Sequence, residues 1–202
     1  MTVAKANLRE AELRRIVGSS SWFTGILEAV RDCDPPGWLV GGGVIRNLVW
    51  NRLHDYPDAA HLKDVDVAYF DAEHLGPERD EAVEECLLAR HPDVPWEAKN
   101  QAAVHLWYEQ KFGFAVPPLL SSEDGIATNP ETATSVGVRL LADGGLYIHA
   151  PLGLDDLFGL LLRRNPRRVT PEIFRRRVVE KRIVERWPKV RVIHVATGPV
   201  SA

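Results

Sequence analysis

Little in these 202 residues belongs to an extracellular or membrane protein. There are two cysteines, Cys33 and Cys86, and they form no metal or redox spacing. They read as buried thiols in a reducing compartment. No stretch approaches membrane-spanning length, and the first ten residues hold Lys5, Arg9 and Glu10 without an apolar run, so a cytoplasmic protein with no membrane partner is expected. Histidine offers no metal pair either. His105 has no second histidine at ligand spacing and reads as structural. Internal repeats and low-complexity segments are missing. What remains is an ordinary globular composition, 45% apolar and 26% charged. The length suits one domain over residues 1–202: helices in 1–36, a core in 37–165, and a basic helix and tail in 166–202.

Charge is divided unevenly. From Arg163 to Ala202 twelve Lys and Arg face only Glu172, Glu180 and Glu185, a net +9, so with -3 overall the rest of the chain carries -12. Such asymmetry fits a polyanionic partner, nucleic acid included, or an internal match between tail and body.

The most informative stretch is Gly37 to Phe70. Trp38-Leu39-Val40 is a short apolar strand running into Gly41-Gly42-Gly43. Val44 to Leu53 has no breaker and places Val44, Leu48 and Leu53 at helical spacing. A strand, a tight turn and a helix N-terminus result. Glycines let backbone approach an anion closely, and the free amides and dipole of a helix end favour negative charge. Arg46 adds a charged donor for a phosphate oxygen. Val65 to Phe70 has strand composition, and alternation puts Asp64 and Asp66 on one face. Adjacent carboxylates repel, and a divalent cation with oxygen ligands relieves them. Each motif has a plain alternative, an ordinary turn or a solvated strand edge. In this order they describe a magnesium-nucleotide site.

Around this centre the chain predicts helices over Leu8–Val17 and Trp22–Arg31, the second capped from Ser19-Ser20-Ser21. An amphipathic helix spans Glu78–Arg90, with Val83, Leu87 and Leu88 inward and its acids as a solvated face. A third strand covers Val94–Lys99, followed by a helix over Asn100–Phe112. Trp96, Trp107 and Tyr108 offer stacking surfaces or core. Val116–Pro130 reads as a loop large enough to cover a site. Ser135–Leu141 and Leu146–Ala150 form a hairpin around Asp143-Gly144-Gly145, with Arg139 an ion-pair partner or a phosphate ligand. A helix over Asp155–Arg164 starts with Asp155-Asp156 as structural caps. A last helix, Pro171–Arg186, docks through Val179, Ile183 and Trp187 with its arginines outward.

Gly41-Gly42-Gly43-Val44-Ile45-Arg46 with Lys63-Asp64-Val65-Asp66 resembles the Gly-Gly-x-x-x-Arg and Lys-Asp-x-Asp signature of the nucleotidyltransferase (polymerase-β-like) superfamily. The closer resemblance is to one branch, small bacterial nucleotidyltransferase-like proteins of largely unassigned substrate. It is carried by Trp50-Asn51, Tyr69-Phe70-Asp71, Lys99-Asn100-Gln101-Ala102, Pro130-Glu131-Thr132-Ala133-Thr134, Gly137-Val138-Arg139 and Ala150 through Phe158, and so extends from Trp38 to Asn165. The sequence departs from the superfamily in a longer gap between glycines and acids, with His54–Leu62 as an inserted loop.

The resemblance implies an α/β (α+β) fold, a nucleotidyltransferase-type mixed sheet flanked by helices. It implies transfer of a nucleoside monophosphate from an NTP such as ATP to an acceptor, which could be a small molecule, a protein or RNA. Asp64, Asp66 and a third carboxylate would be the catalytic and metal-binding set for Mg²⁺, or Mn²⁺. Glu97 is the matching position for the third, with Asp93 as runner-up; alternatively Glu97 is an edge-strand acid paired with Lys99. Gly41, Gly42, Gly43, Arg46, Lys63 and Lys99 would bind the nucleotide. Lys99, Asn100 and Gln101 could reach phosphate, ribose or acceptor, or cap the following helix. Two other readings stay open: a regulatory nucleotide-binding protein without turnover, and a nucleic-acid-binding module built on the basic segment.

Overall fold

The computed structural model describes residues 3–193; residues 194–202 of the expected tail lie outside them. Two helices open the chain, α1 (Val3–Gly18) and α2 (Ser21–Cys33), both longer than their apolar periodicity predicts. Of the three serines, Ser20 is the cap, its hydroxyl oxygen accepting the Phe23 N–H at 3.2 Å. Strand β1 (Leu39–Gly41), helix α3 (Gly43–Leu53) and strand β2 (Val65–Tyr69) follow in the expected order. Next come α4 (Pro77–Arg90) and β3 (Trp96–Asn100). The helix expected from Asn100 begins as a 3₁₀ turn, Gln101–Ala103, because the Asn100 side chain accepts the Ala102 N–H. It becomes α5 at Val104–Phe112.

The predicted hairpin forms β4 (Gly137–Leu140) and β5 (Leu146–His149). The five strands lie in the order β3-β2-β1-β4-β5, with β2 and β3 parallel and all other neighbours antiparallel. This register aligns Gly137, Gly41, Asp66 and Glu97 in one row across four strands. One face of the sheet, with Val40, Val65, Val67, Tyr69, Ala98 and Val138, joins the main core with α1 to α4. The other face holds only Leu39 and Ala68 against Ile126, with Tyr147 at the margin. Ile126 belongs to a helix, α6 (Ser122–Ala127), inside the stretch that reads as loop. Ser121 caps it, accepting the Asp124 N–H at 3.1 Å.

Several expectations are corrected by tertiary contacts. The α4 acids are not merely a solvated face. Asp80 accepts the Asn100 N–H at 2.8 Å and the Tyr69 hydroxyl at 2.6 Å, and Glu84 accepts the Ala98 N–H at 2.9 Å. They satisfy the outward amides of edge strand β3. Leu88 points outward, 44% exposed, while Val83 and Leu87 are buried. The helix expected over Asp155–Arg164 is a single turn, α7 (Asp155–Phe158). The chain turns at Gly159 and Leu160, the latter with φ 53, and Leu161–Arg163 becomes β6, paired in parallel with β7 (Arg191–Ile193). Asp155 and Asp156 lie in the first turn of α7 but do not cap it; they are structural through other partners, Lys5 in one case and Thr132 and Arg163 in the other.

The last predicted helix is split into α8 (Pro171–Glu180) and α9 (Ile183–Arg186) at Arg182, whose φ is 50. The break rotates the helix face, so Ile183 and Trp187 are buried but Val179 is 76% exposed. Trp187 packs edge-on against Trp50 at 5.5 Å and donates to Asn51 Oδ1 at 2.8 Å.

Cys33 and Cys86, expected as separate buried thiols, are joined in a half-buried disulfide between the end of α2 and α4, with Cα atoms 6.0 Å apart. The two helices pack on each other. Since 53 residues separate the cysteines, no local spacing marks the pair. The disulfide removes the free-thiol ground for a reducing compartment. Among the described residues no helix is long and apolar enough to cross a membrane.

Candidate active site

The glycine triplet divides its work. Gly41 ends β1, Gly42 turns the chain at φ 71 and ψ -126, and Gly43 begins α3. The Gly42 N–H donates to the Val136 carbonyl at 3.1 Å, which fixes the turn on β4. A Cβ at Gly42 would lie 3.1 Å from Asp66 Oδ2 and 3.5 Å from Asn129 Nδ2, so both φ and space require glycine there. No side chain caps the first amides of α3.

Two cavities of about 140 Å³ each meet at this turn. Gly42, Asp66 and Asn129 line both. The first is completed by Gly43, Arg46, Asp64, Glu131, Arg177 and Lys181. The second is completed by Gly41, Glu97, Lys99, Gln101, Gly125 and Ile126. The structure therefore brings together the glycines, Arg46, Asp64, Asp66, Glu97 and Lys99, with Asp66 in the shared wall. A larger space, about 460 Å³, lies between Phe114–Leu119 and Arg164–Pro171 and includes none of these residues.

Asp66 is electrostatically unusual. Burial, then the charges of Asp64 and Glu97, push its carboxyl up to about 6. Among the described residues no three His, Cys, Asp or Glu side chains form a ready-made metal cluster. Asp64, Asp66 and Glu97 share one field without closing on a common point.

Arg46 is 4% exposed. Its guanidinium lies 5.3 Å from the ring centres of both Trp50 and Trp187. Nε and Nη2 donate to Asn47 Oδ1 at 3.2 and 2.8 Å, whereas Nη1 is buried without a partner. Burial holds its pKa below the usual arginine value, and Glu131 is the strongest opposing influence. Asn47 and Asn51 also donate to His61, Asp58 and Ala60 carbonyls, which ties the inserted loop back onto α3.

Other predicted residues are placed differently. Lys63 is 83% exposed at its side chain and lies against Asp64 at 3.4 Å, lining neither cavity. Lys99 lines the second cavity, but its ammonium sits 3.4 Å from Asp80 and 3.7 Å from Glu84, so the Glu97–Lys99 pair is not formed. Asp93 is exposed ahead of β3 and lines neither cavity. Asn100 is structural, bonding Asp71 and His74 carbonyls at 2.8 and 2.9 Å. Arg139 lies over Tyr147 at 5.1 Å. Trp107 and Tyr108 cluster with Phe112 outside both cavities.

One acid was not singled out by sequence. Glu131 is 3% exposed; its Oε1 accepts Arg177 Nε at 2.9 Å and its Oε2 the Thr134 hydroxyl at 3.0 Å. Burial alone would raise its pKa, but Arg177 and then Arg46 hold it below the usual carboxylate value. The only signal is a single acid in the block Pro130-Glu131-Thr132-Ala133-Thr134.

An uncapped helix follows the glycine turn, and beside it Asp64 and Asp66 stand at the start of β2. The chain belongs to the nucleotidyltransferase family, whose model matches residues 28–192. A solved structure described as an NMR structure that reveals a CCA-adding enzyme head domain is similar over 92% of this chain and 96% of its own, at 26% identity and a TM-score of 0.78. No curated protein matches the chain. The mixed sheet flanked by helices is thus the nucleotidyltransferase fold, and nucleoside monophosphate transfer is its reaction class.

Proposed function

We propose that the protein is a Mg²⁺-dependent nucleotidyltransferase that moves a nucleoside monophosphate from an NTP to an acceptor hydroxyl. The observation that carries this reading is the position of Asp66 in a wall shared by two cavities, one lined by cations and a free helix end, the other by Glu97, Lys99 and Gln101. The first suits the triphosphate, and the second suits the acceptor. The acceptor oxygen bonds the α-phosphorus as the bond to the bridging oxygen breaks. Pyrophosphate leaves with the electron pair, and the hydroxyl proton passes to a site carboxylate or to water. The glycine turn and Arg46 hold the leaving phosphates, so positioning and charge neutralisation carry the catalysis.

The donor set fits a divalent cation, because Asp66, raised first by burial and then by the charges of Asp64 and Glu97, is a carboxyl whose ionised form such a cation stabilises. Asp64, Asp66 and Glu97 would hold Mg²⁺ or Mn²⁺, which when bound lowers the pKa of the acceptor hydroxyl and neutralises phosphate charge. Glu97 serves the acceptor side, since it lines the second cavity and not the first.

The test is incubation with the four α-labelled NTPs, Mg²⁺ and cell extract. Label should reach an acceptor and be lost in Asp66→Asn. Glu97→Gln should cut turnover by several orders of magnitude yet leave NTP affinity within about tenfold, or roughly 1.4 kcal/mol. NTP binding that is equally tight with and without Mg²⁺, and unchanged in Asp64→Asn, would sink the shared metal-nucleotide site.

A further inference from the structure

The basic C-terminal segment faces neither wholly outward nor wholly onto the acidic body. Arg175, Arg176 and Arg182 are exposed and pair with Glu172, Glu180 and Glu185 of their own or the next helix. Arg177 and Lys181, one helical turn apart, point the other way. They line the first cavity together with Gly42, Gly43 and Arg46. Arg177 and Lys181 thus face Arg46 and the N-terminus of its own 11-residue helix, α3, whose first amides no side chain caps. Glu131, buried, sits among them bonded to Arg177, while the half-buried Asp64 and Asp66 line the cavity from the β2 side. Arg46 Nη1 is buried with no partner in the same wall. Buried with no acceptor, the Arg46 N–H and the uncapped first amides of α3 form, beside Arg177 and Lys181, a donor set that a further anion fits.

We propose that α8 supplies half of a polyphosphate subsite, in which Lys181 and Arg177 bind the β- and γ-phosphates from the side opposite the glycine turn, and Glu131 is the positioning residue that holds Arg177 in place while the site is empty. The inference rests on the nucleotidyl-transfer reading of the same site, and adds that the triphosphate is gripped between α3 and α8. Its chemistry is that of a chain of phosphates, so recognition resides in charge and in N–H donors and does not depend on the base. Glu131 serves as a stand-in counter-charge when no anion is bound.

The test compares binding of inorganic tripolyphosphate, of an NTP and of the matching NMP, each with Mg²⁺, by calorimetry. Lys181→Ala and Arg177→Ala should each weaken tripolyphosphate and NTP at least tenfold and NMP less than twofold. The double variant Arg175→Ala/Arg176→Ala, on the exposed side of the same helix, should stay within twofold for all three. Equal affinities in Lys181→Ala, Arg177→Ala and wild type would overturn the subsite while leaving nucleotidyl transfer intact. Lys181-dependent binding without any label transfer would keep the subsite and overturn the transfer reading. A wild-type protein that binds neither tripolyphosphate nor NTP would overturn both. Glu131→Gln should melt lower than wild type when empty and gain more from tripolyphosphate, since ligand then replaces the missing charge. Equal gains would remove Glu131 from the cluster.

Discussion

The two faces of the five-stranded sheet are made from alternate residues of the same strands and differ in almost every physical respect. Val65, Val67 and Tyr69 of β2 are at most 1% exposed under a core shared with α1 to α4. Asp66, on the opposite face, has only Ala68, Leu39 and Ile126 as apolar company and sits in a charged, cavity-lined floor. A β-strand with a side-chain period of two can hold stability and chemistry one residue apart. Substitutions on one face should therefore read out in stability, and on the other in binding and turnover.

The harshest break of that division is Val67→Asp, which places a carboxylate where Val67 is 1% exposed. An unpaired buried charge should cost more than about 4 kcal/mol and abolish cooperative unfolding. A folded variant by circular dichroism and denaturant titration would show that the covered face is not the stabilising one. Next is the Cys33–Cys86 disulfide, which staples two helices of the covered side across 53 residues. In the chain-entropy account its loss costs about 4 kcal/mol. Reduction, or Cys33→Ser with Cys86→Ser, should lower the urea midpoint accordingly while NTP affinity, measured below that midpoint, stays unchanged. A fall in affinity without a fall in stability would couple the staple to the open face.

The smallest effect has the opposite sign. Asp66 has a folded pKa of about 6 against an ordinary 3.8, so the folded protein holds this proton more tightly than the unfolded one. Its contribution to stability is highest below pH 4 and is lost as pH rises through about 6, a cost of about 3 kcal/mol at pH 7. Asp66→Asn should thus be more stable than wild type at pH 7 by up to that amount, with the difference vanishing near pH 4. Urea titrations at the two pH values check it. A variant no more stable at pH 7 than wild type would mean that the open face stores no electrostatic strain.

What was legible in the sequence follows the range of the forces involved. The glycine turn, α3, the alternation of β2 and the Asp143-Gly144-Gly145 hairpin are set within a few neighbouring residues; Glu97 was legible only through the family resemblance, and its row with Asp66 forms when β3 pairs in parallel with β2. Illegible features depend on distant partners. Leu157, Leu160 and Leu161 have helical spacing, yet Leu161–Arg163 becomes a strand because β7 arrives beside it. Arg182 breaks the last helix in a left-handed conformation that no local glycine announces. Glu131 owes its place to Arg177, and the half-buried Lys181 its own to a cavity whose other wall is built by Gly42 and Arg46.

That cavity also has a history during synthesis. Gly43 and Lys181 are separated by roughly 140 residues, about 7 to 28 s of translation at 5–20 residues per second. Trp187 and β7, which fasten the end of α8 to Trp50, Asn51 and β6, emerge later still. A nascent chain can form the glycine turn and the aspartate strand long before it holds the α8 cations. Until α8 arrives, Arg46 stands in that cavity without Arg177 and Lys181, so the full affinity for a polyphosphate should appear only when nearly all of the described chain has left the ribosome.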